Sequence, residues 1–145
     1  MELKNFGSIL NFAAELEAAD EAFYRRAAQN SACVPYKDIF EELVREHKQN
    51  EEKILRIRRE NVTEMILEPI KDFMSHPFLM ESGDVERMDF QAVLQTARKL
   101  EIRSEHYYSE AAEKIKALPE VSRELRKIGK KHEMHRVKFL DNFSR

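Results

Sequence analysis

Residues 16–28 read LEAADEAFYRRAA and residues 100–112 read LEIRSEHYYSEAA, one shared pattern, L-E-x-x-x-E-x-[FY]-Y-x-x-A-A, without a gap. In both copies apolar and small side chains recur every three to four positions, the period of one helix face. Leu16 and Leu100 lie 84 positions apart, and Val34–Pro35 keeps that offset to Leu118–Pro119. With one residue added, LVREHKQNEEKIL from Leu43 aligns to IGKKHEMHRVKFL from Ile128, which pairs His47 with His132 and Asn50 with His135. The chain reads as one helical hairpin present twice.

Extended outward, the same period predicts four helices, from about Leu3 to Asn30, Pro35 to Met65, Met88 to Ala117 and Pro119 to Phe143. Pro35 and Pro119 suit a first helical turn, where the missing N–H costs nothing. Short links join helices one to two and three to four, so each pair is expected to form an antiparallel hairpin. The long connection in between suits a crossover running the length of a bundle. Its EPIKDF stretch (68–73) suits an additional short helix, and His76 a surface position. The expected fold is all-α, a four-helix bundle in a single domain over 1–145. Hairpin one spans about 3–65, the crossover about 66–87 and hairpin two about 88–143.

Composition agrees. Three glycines and four prolines are too few for the turns of a barrel or sandwich. A net charge of −2 gives no field that would draw nucleic acid or an anionic membrane, and the basic run Arg123–Lys138 reads as a solvated helix face. The single cysteine, Cys33, excludes an internal disulfide and a paired-cysteine redox module. With no signal peptide and no apolar run of spanning length, a soluble cytoplasmic protein is expected.

The inward stripes carry an unexpected load. Glu17 falls on the core side of helix one, His47 and Asn50 on that of helix two, Glu101 on that of helix three, and His132 and His135 on that of helix four. Antiparallel pairing brings Glu17 to the level of His47 and Glu101 to that of His132. A buried amide or imidazole without a partner costs roughly 1–3 kcal/mol and a buried carboxylate more. Such a set must hydrogen-bond to itself, line a wet cavity or hold a metal. Carboxylates and imidazoles converging from four helices favour Fe, Mn or Zn.

On these residues the chain resembles the ferritin-like superfamily, and within it the rubrerythrin-like group of small di-iron bundles. That group carries a Glu followed six residues later by an aromatic pair on helices one and three. Here these are Glu17 with Phe23–Tyr24 and Glu101 with Tyr107–Tyr108. The group's E-x-x-H on helices two and four falls on His47 and Asn50 and on His132 and His135. Both bridging carboxylates are thus replaced by histidine, which binds a single metal through a ring nitrogen, and one terminal histidine is replaced by Asn50. Glu101, His132 and His135 form a two-histidine, one-carboxylate set like that of mononuclear non-haem iron sites. Glu17 and His47 would complete it, with Asn50, Glu21, Glu51 and Glu105 as weaker candidates and Tyr24 and Tyr108 packing or hydrogen-bonding nearby.

The resemblance implies a metal-binding protein holding Fe, or alternatively Mn or Zn, with one or two ions per chain. Peroxide, dioxygen or iron handling would be driven by an external electron donor. The alternative is a metal-free bundle acting as a binding or scaffolding module. The histidine spacing of hemerythrin-like oxygen carriers is absent. A homodimer is compatible with the fold, and neither nucleic acid nor membrane is expected as a partner.

Overall fold

The computed structural model describes residues 1–61 and 69–141. Its α-helices are α1 (Phe6–Ala28), α2 (Lys37–Glu60), α3 (Phe90–Lys114) and α4 (Pro119–His135). Among the described residues there is no strand, only an isolated antiparallel bridge between Glu2 and Met74. None of the helices is long and apolar enough to cross a membrane.

Local chemistry sets the helix ends. Asn5 and Ser8 form a reciprocal capping box on α1, the Ser8 N–H donating to Asn5 Oδ1 at 2.8 Å. Asp89 caps α3 by accepting from Ala92 N–H at 2.8 Å. Pro119 opens α4 as expected. Pro35 does not open α2 but lies in a short 3₁₀ segment, Ser31–Tyr36, just before it. The backbone leaves the helical region at Tyr36 (φ −104°, ψ 2°), the N-cap of α2, so regular helix begins only at Lys37.

Helix four is not uniform either. Its α pattern stops at His135, and Arg136–Leu140 continue as one π-helical turn. The expected ends of helices two and four, Met65 and Phe143, lie outside the described residues. So does Glu68, whereas Pro69–Phe73 is not helical. Those residues pair with the N-terminal segment, Ile70 N–H donating to Lys4 O and Leu3 N–H to Phe73 O at 2.7 Å each. Further on, Asn30 donates its amide to Val85 O and Met88 O at 2.9 Å, and Arg26 pairs with Glu86 at 2.7 Å. The connection before α3 therefore touches both ends of α1.

α1 packs chiefly on α2, and α3 on α4. Tyr107 in α3 donates to Ile9 O at 2.6 Å, while Tyr24 reaches Glu101 at 2.8 Å, so α3 runs antiparallel to α1. The apolar core is divided in two. One cluster contains Leu10, Leu16, Ile54, Tyr107, Leu125 and Ile128; the other contains Phe23, Phe40, Leu43, Leu94, Leu100 and Leu140. Every helix passes from one cluster to the other at its inward polar residues: Glu17 and Asp20, His47 and Asn50, Glu101 and Ser104, His132 and His135. A polar layer crosses the middle of the bundle.

A candidate metal centre in the bundle core

Glu17, Asp20, His47, Glu101, Ser104 and His132 have no solvent exposure, while Asn50 keeps 1 % and His135 3 %. Each was placed on its helix by the 3.6-residue period, one or two turns from purely apolar neighbours.

His132 occupies the centre. Its Nε2 is 2.7 Å from Glu17 Oε2, and its Nδ1 hydrogen-bonds to Glu101 Oε2. Ionised carboxylates only accept, so both ring nitrogens donate and His132 is an imidazolium here. Burial opposes that charge, but the flanking carboxylates outweigh it and hold the pKa well above the ordinary histidine value. Glu17 is pulled down in spite of burial, chiefly by His132, and Glu101 well down by His132 and His47.

His47 is held by its own helix, Nδ1 donating to Leu43 O at 2.7 Å. Its Nε2 is 3.0 Å from Glu101 Oε1, off the line of a hydrogen bond, and 3.8 Å from Asp20 Oδ2. Burial again opposes its charge, and Glu101 more than compensates, lifting the pKa to about 9. His135 behaves oppositely: burial drives it down to about 4, so its ring is neutral at pH 7.

Two tyrosines close the site. Tyr24 donates to Glu101 Oε1 and Tyr108 to Glu17 Oε2, each at 2.8 Å, and the Tyr108 ring stacks on His132 at 5.5 Å. Asn50 donates to Glu17 Oε1 at 3.0 Å.

One donor atom from each of Glu17, His47 and His132 lies within 4.8 Å of the others, and so does one from each of His47, Glu101 and His135. These two interlocked groups contain all five principal residues expected from the sequence. The weaker candidates are placed differently. Glu21 pairs with Arg25 at 2.6 Å and Glu105 with Arg136 at 2.7 Å. Glu51 is partly exposed, its carboxyl raised by burial and by the neighbouring Glu21. None of these three belongs to a carboxylate–histidine ligand group among the described residues.

Sequence reasoning did not assign Asp20 and Arg103 to the site. Asp20 accepts from Arg103 Nη2 and, at 3.3 Å, from Ser104 Oγ. Burial raises its pKa to about 6 against the pull of Arg103. The repeat held a signal for this contact, because Asp20 and Ser104 are counterparts at the same 84-residue offset. Arg103 gave none, since it lies beside the inward stripe and reaches into the core by the length of its side chain.

The donor set suits a borderline transition metal, with imidazole nitrogen and carboxylate oxygen available and no thiolate. Buried atoms without hydrogen-bond partners also gather here: His47 Nε2, His135 Nδ1 and Asn50 Oδ1. Orphaned polar atoms are rare in native cores and need an explanation such as an ion or water. No protein-family model, curated protein or solved structure matches the chain.

Proposed function

We propose that this chain is a ferritin-like, rubrerythrin-like metal-binding protein whose bundle core takes one transition-metal ion, iron first and manganese or zinc as alternatives. Glu17, His47, Glu101, His132 and His135 would hold it. The observation that carries this reading is the pair of interlocked carboxylate–histidine groups, whose donor atoms lie within 4.8 Å of one another while two of their imidazole nitrogens lack hydrogen-bond partners. A redox-active ion bound there would supply electron exchange with peroxide or dioxygen, drawing on an external donor. The chain's own groups hold and orient: Leu43 O fixes the His47 ring, Tyr24 and Tyr108 fix the carboxylates, and the aromatic walls exclude bulk water.

One observation favours the second reading, a metal-free bundle with a binding or scaffolding role. With His47 and His132 protonated, three carboxylates (Glu17, Asp20, Glu101) face three cations (His47, His132, Arg103), and the layer is neutral without an ion. An M²⁺ ion keeps that neutrality only by displacing both imidazolium protons, whereas the metal-free layer needs no such exchange.

Metal stoichiometry separates them. The untagged protein is loaded anaerobically with Fe(II), Mn(II) or Zn(II), desalted and assayed beside a His132→Ala/His135→Ala variant. The expected result is about one ion per wild-type chain and none in the variant. No ion in either protein leaves the metal-free bundle standing.

A further inference from the structure

We infer that divalent cations reach the core through the seam between α2 and α4, meeting the Glu46 carboxylate first and the His135 ring next. This rests on the metal-binding reading above. The side chains of Glu17, His47, Glu101 and His132 are fully enclosed, whereas that of His135 is 4 % exposed. His135 Nε2 is 3.8 Å from Glu46 Oε2, and the Glu46 side chain is 34 % exposed. From there inward, the rings of His135 and His47 lie 5.7 Å apart. Solvent exposure therefore falls stepwise from a surface carboxylate to a neutral imidazole to the enclosed ligands.

Elsewhere neighbouring side chains occupy the carboxylates. Tyr24 covers Glu101, and Tyr108 and Asn50 cover Glu17. Between α1 and α3 the nearly buried Arg103 guanidinium lies against Asp20, and its charge repels cations. Glu46 makes no salt bridge to a lysine or arginine among the described residues, so its charge faces solvent uncompensated by a bound cation. The backbone adds a second feature on this side. Directly after His135 the helix widens into its π turn, and such turns recur at functional sites.

Acidic groups also gather on α1 and α2 around Glu21, Glu51 and Glu52, and these offer a rival route. Stopped-flow loading with Co(II), whose d–d bands report coordination in the core, distinguishes the two. Wild type, Glu46→Gln and Glu51→Gln are compared at low and at 0.5 M salt, with folding verified by circular dichroism.

The expected result is an unchanged endpoint and metal content in Glu46→Gln, reached about tenfold more slowly at low salt, with the difference shrinking at high salt; Glu51→Gln keeps the wild-type rate. Loading of Glu46→Gln at the wild-type rate overturns the route, as does a slow phase confined to Glu51→Gln. A lost endpoint in Glu46→Gln makes that residue a ligand and overturns its role as the first contact. If wild type itself takes up no Co(II), the metal-binding reading falls and the route falls with it.

Discussion

The hydroxyl of Tyr24 donates to Glu101 at 2.8 Å, and the residues 84 positions away repeat the contact with roles exchanged, Tyr108 donating to Glu17 at 2.8 Å. The two hairpins thus grip each other reciprocally, each supplying the tyrosine for the other's carboxylate. The histidines follow the same rule, His47 approaching Glu101 at 3.0 Å and His132 approaching Glu17 at 2.7 Å. The exchange breaks at the remaining nitrogens, since His132 Nδ1 turns to Glu101 whereas His47 Nδ1 turns to Leu43 O.

Reciprocity predicts matched energetics. Tyr24→Phe and Tyr108→Phe each remove one hydrogen bond to a buried carboxylate and leave the ring packing intact. Each is expected to cost about 1.5–3 kcal/mol in urea unfolding of the metal-free protein. A near-zero cost for either would mean that its carboxylate is satisfied without the hydroxyl.

The Asp20–Arg103 pair is also load-carrying in charge terms. Arg103→Leu leaves the buried Asp20 carboxylate with only His47, 3.8 Å away, as a charge partner, so a loss of about 3–5 kcal/mol is expected. Adding Asp20→Leu removes the stranded charge, and the double variant is expected to regain most of that loss. The readout is a double-mutant cycle by chemical denaturation. Equal losses in the single and double variants would contradict the electrostatic account.

Much of this layer was legible in the sequence because its residues sit on helical stripes. Glu17, His47, Glu101, His132 and His135 are enclosed where the 3.6-residue period puts them. Antiparallel pairing brings Glu17 near His47 and Glu101 near His132, while the contacts exchanged between the hairpins had no sequence signal. The period is silent where side-chain reach or local backbone decides. Arg103 enters the core from beside the stripe. Pro35 falls in the 3₁₀ segment before α2, which starts only after the backbone break at Tyr36. The π turn after His135 leaves the apolar spacing almost unaltered, and Pro69–Phe73 departs from helix where Leu3 and Lys4, far away in sequence, share backbone hydrogen bonds with Ile70 and Phe73.

The histidines predict a pH dependence for the metal-free protein. His47 is faced by Glu17 and Asp20 from α1, Glu101 from α3, and His132 and His135 from α4, and its pKa rises from 6.5 to about 9 on folding. A raised folded-state pKa contributes stability that is fully present below 6.5 and is lost as pH climbs through about 9, here on the order of 3 kcal/mol. His132 acts in the same direction. Below pH 6.5 the neutral His135 works the other way, its stabilisation being lost as pH falls toward about 4, while protonation of Asp20 near 6 partly offsets that loss. Calorimetry from pH 6 to 10 is expected to show Tm falling on the alkaline side, with a shallower fall in His47→Gln. A Tm that holds level to pH 10 would show that His47 is not charged in the folded state.

Asn50 marks where the two halves differ most, and repairing the difference tests what the layer is for. Its counterpart in the repeat is His135, and its Oδ1 is buried without a partner beside Glu17, where an imidazole would offer a further nitrogen donor. In a metal centre, Asn50→His is expected to tighten Zn(II) binding by at least about tenfold, ~1.4 kcal/mol, or to add a second ion per chain. Asn50→Leu, which can donate nothing, is expected to leave the count at one. In a metal-free network the same Asn50→His change adds an imidazole to a layer already neutral, lowers stability and recruits no ion. Isothermal titration of the three proteins with Zn(II), read beside their unfolding free energies, decides between these outcomes.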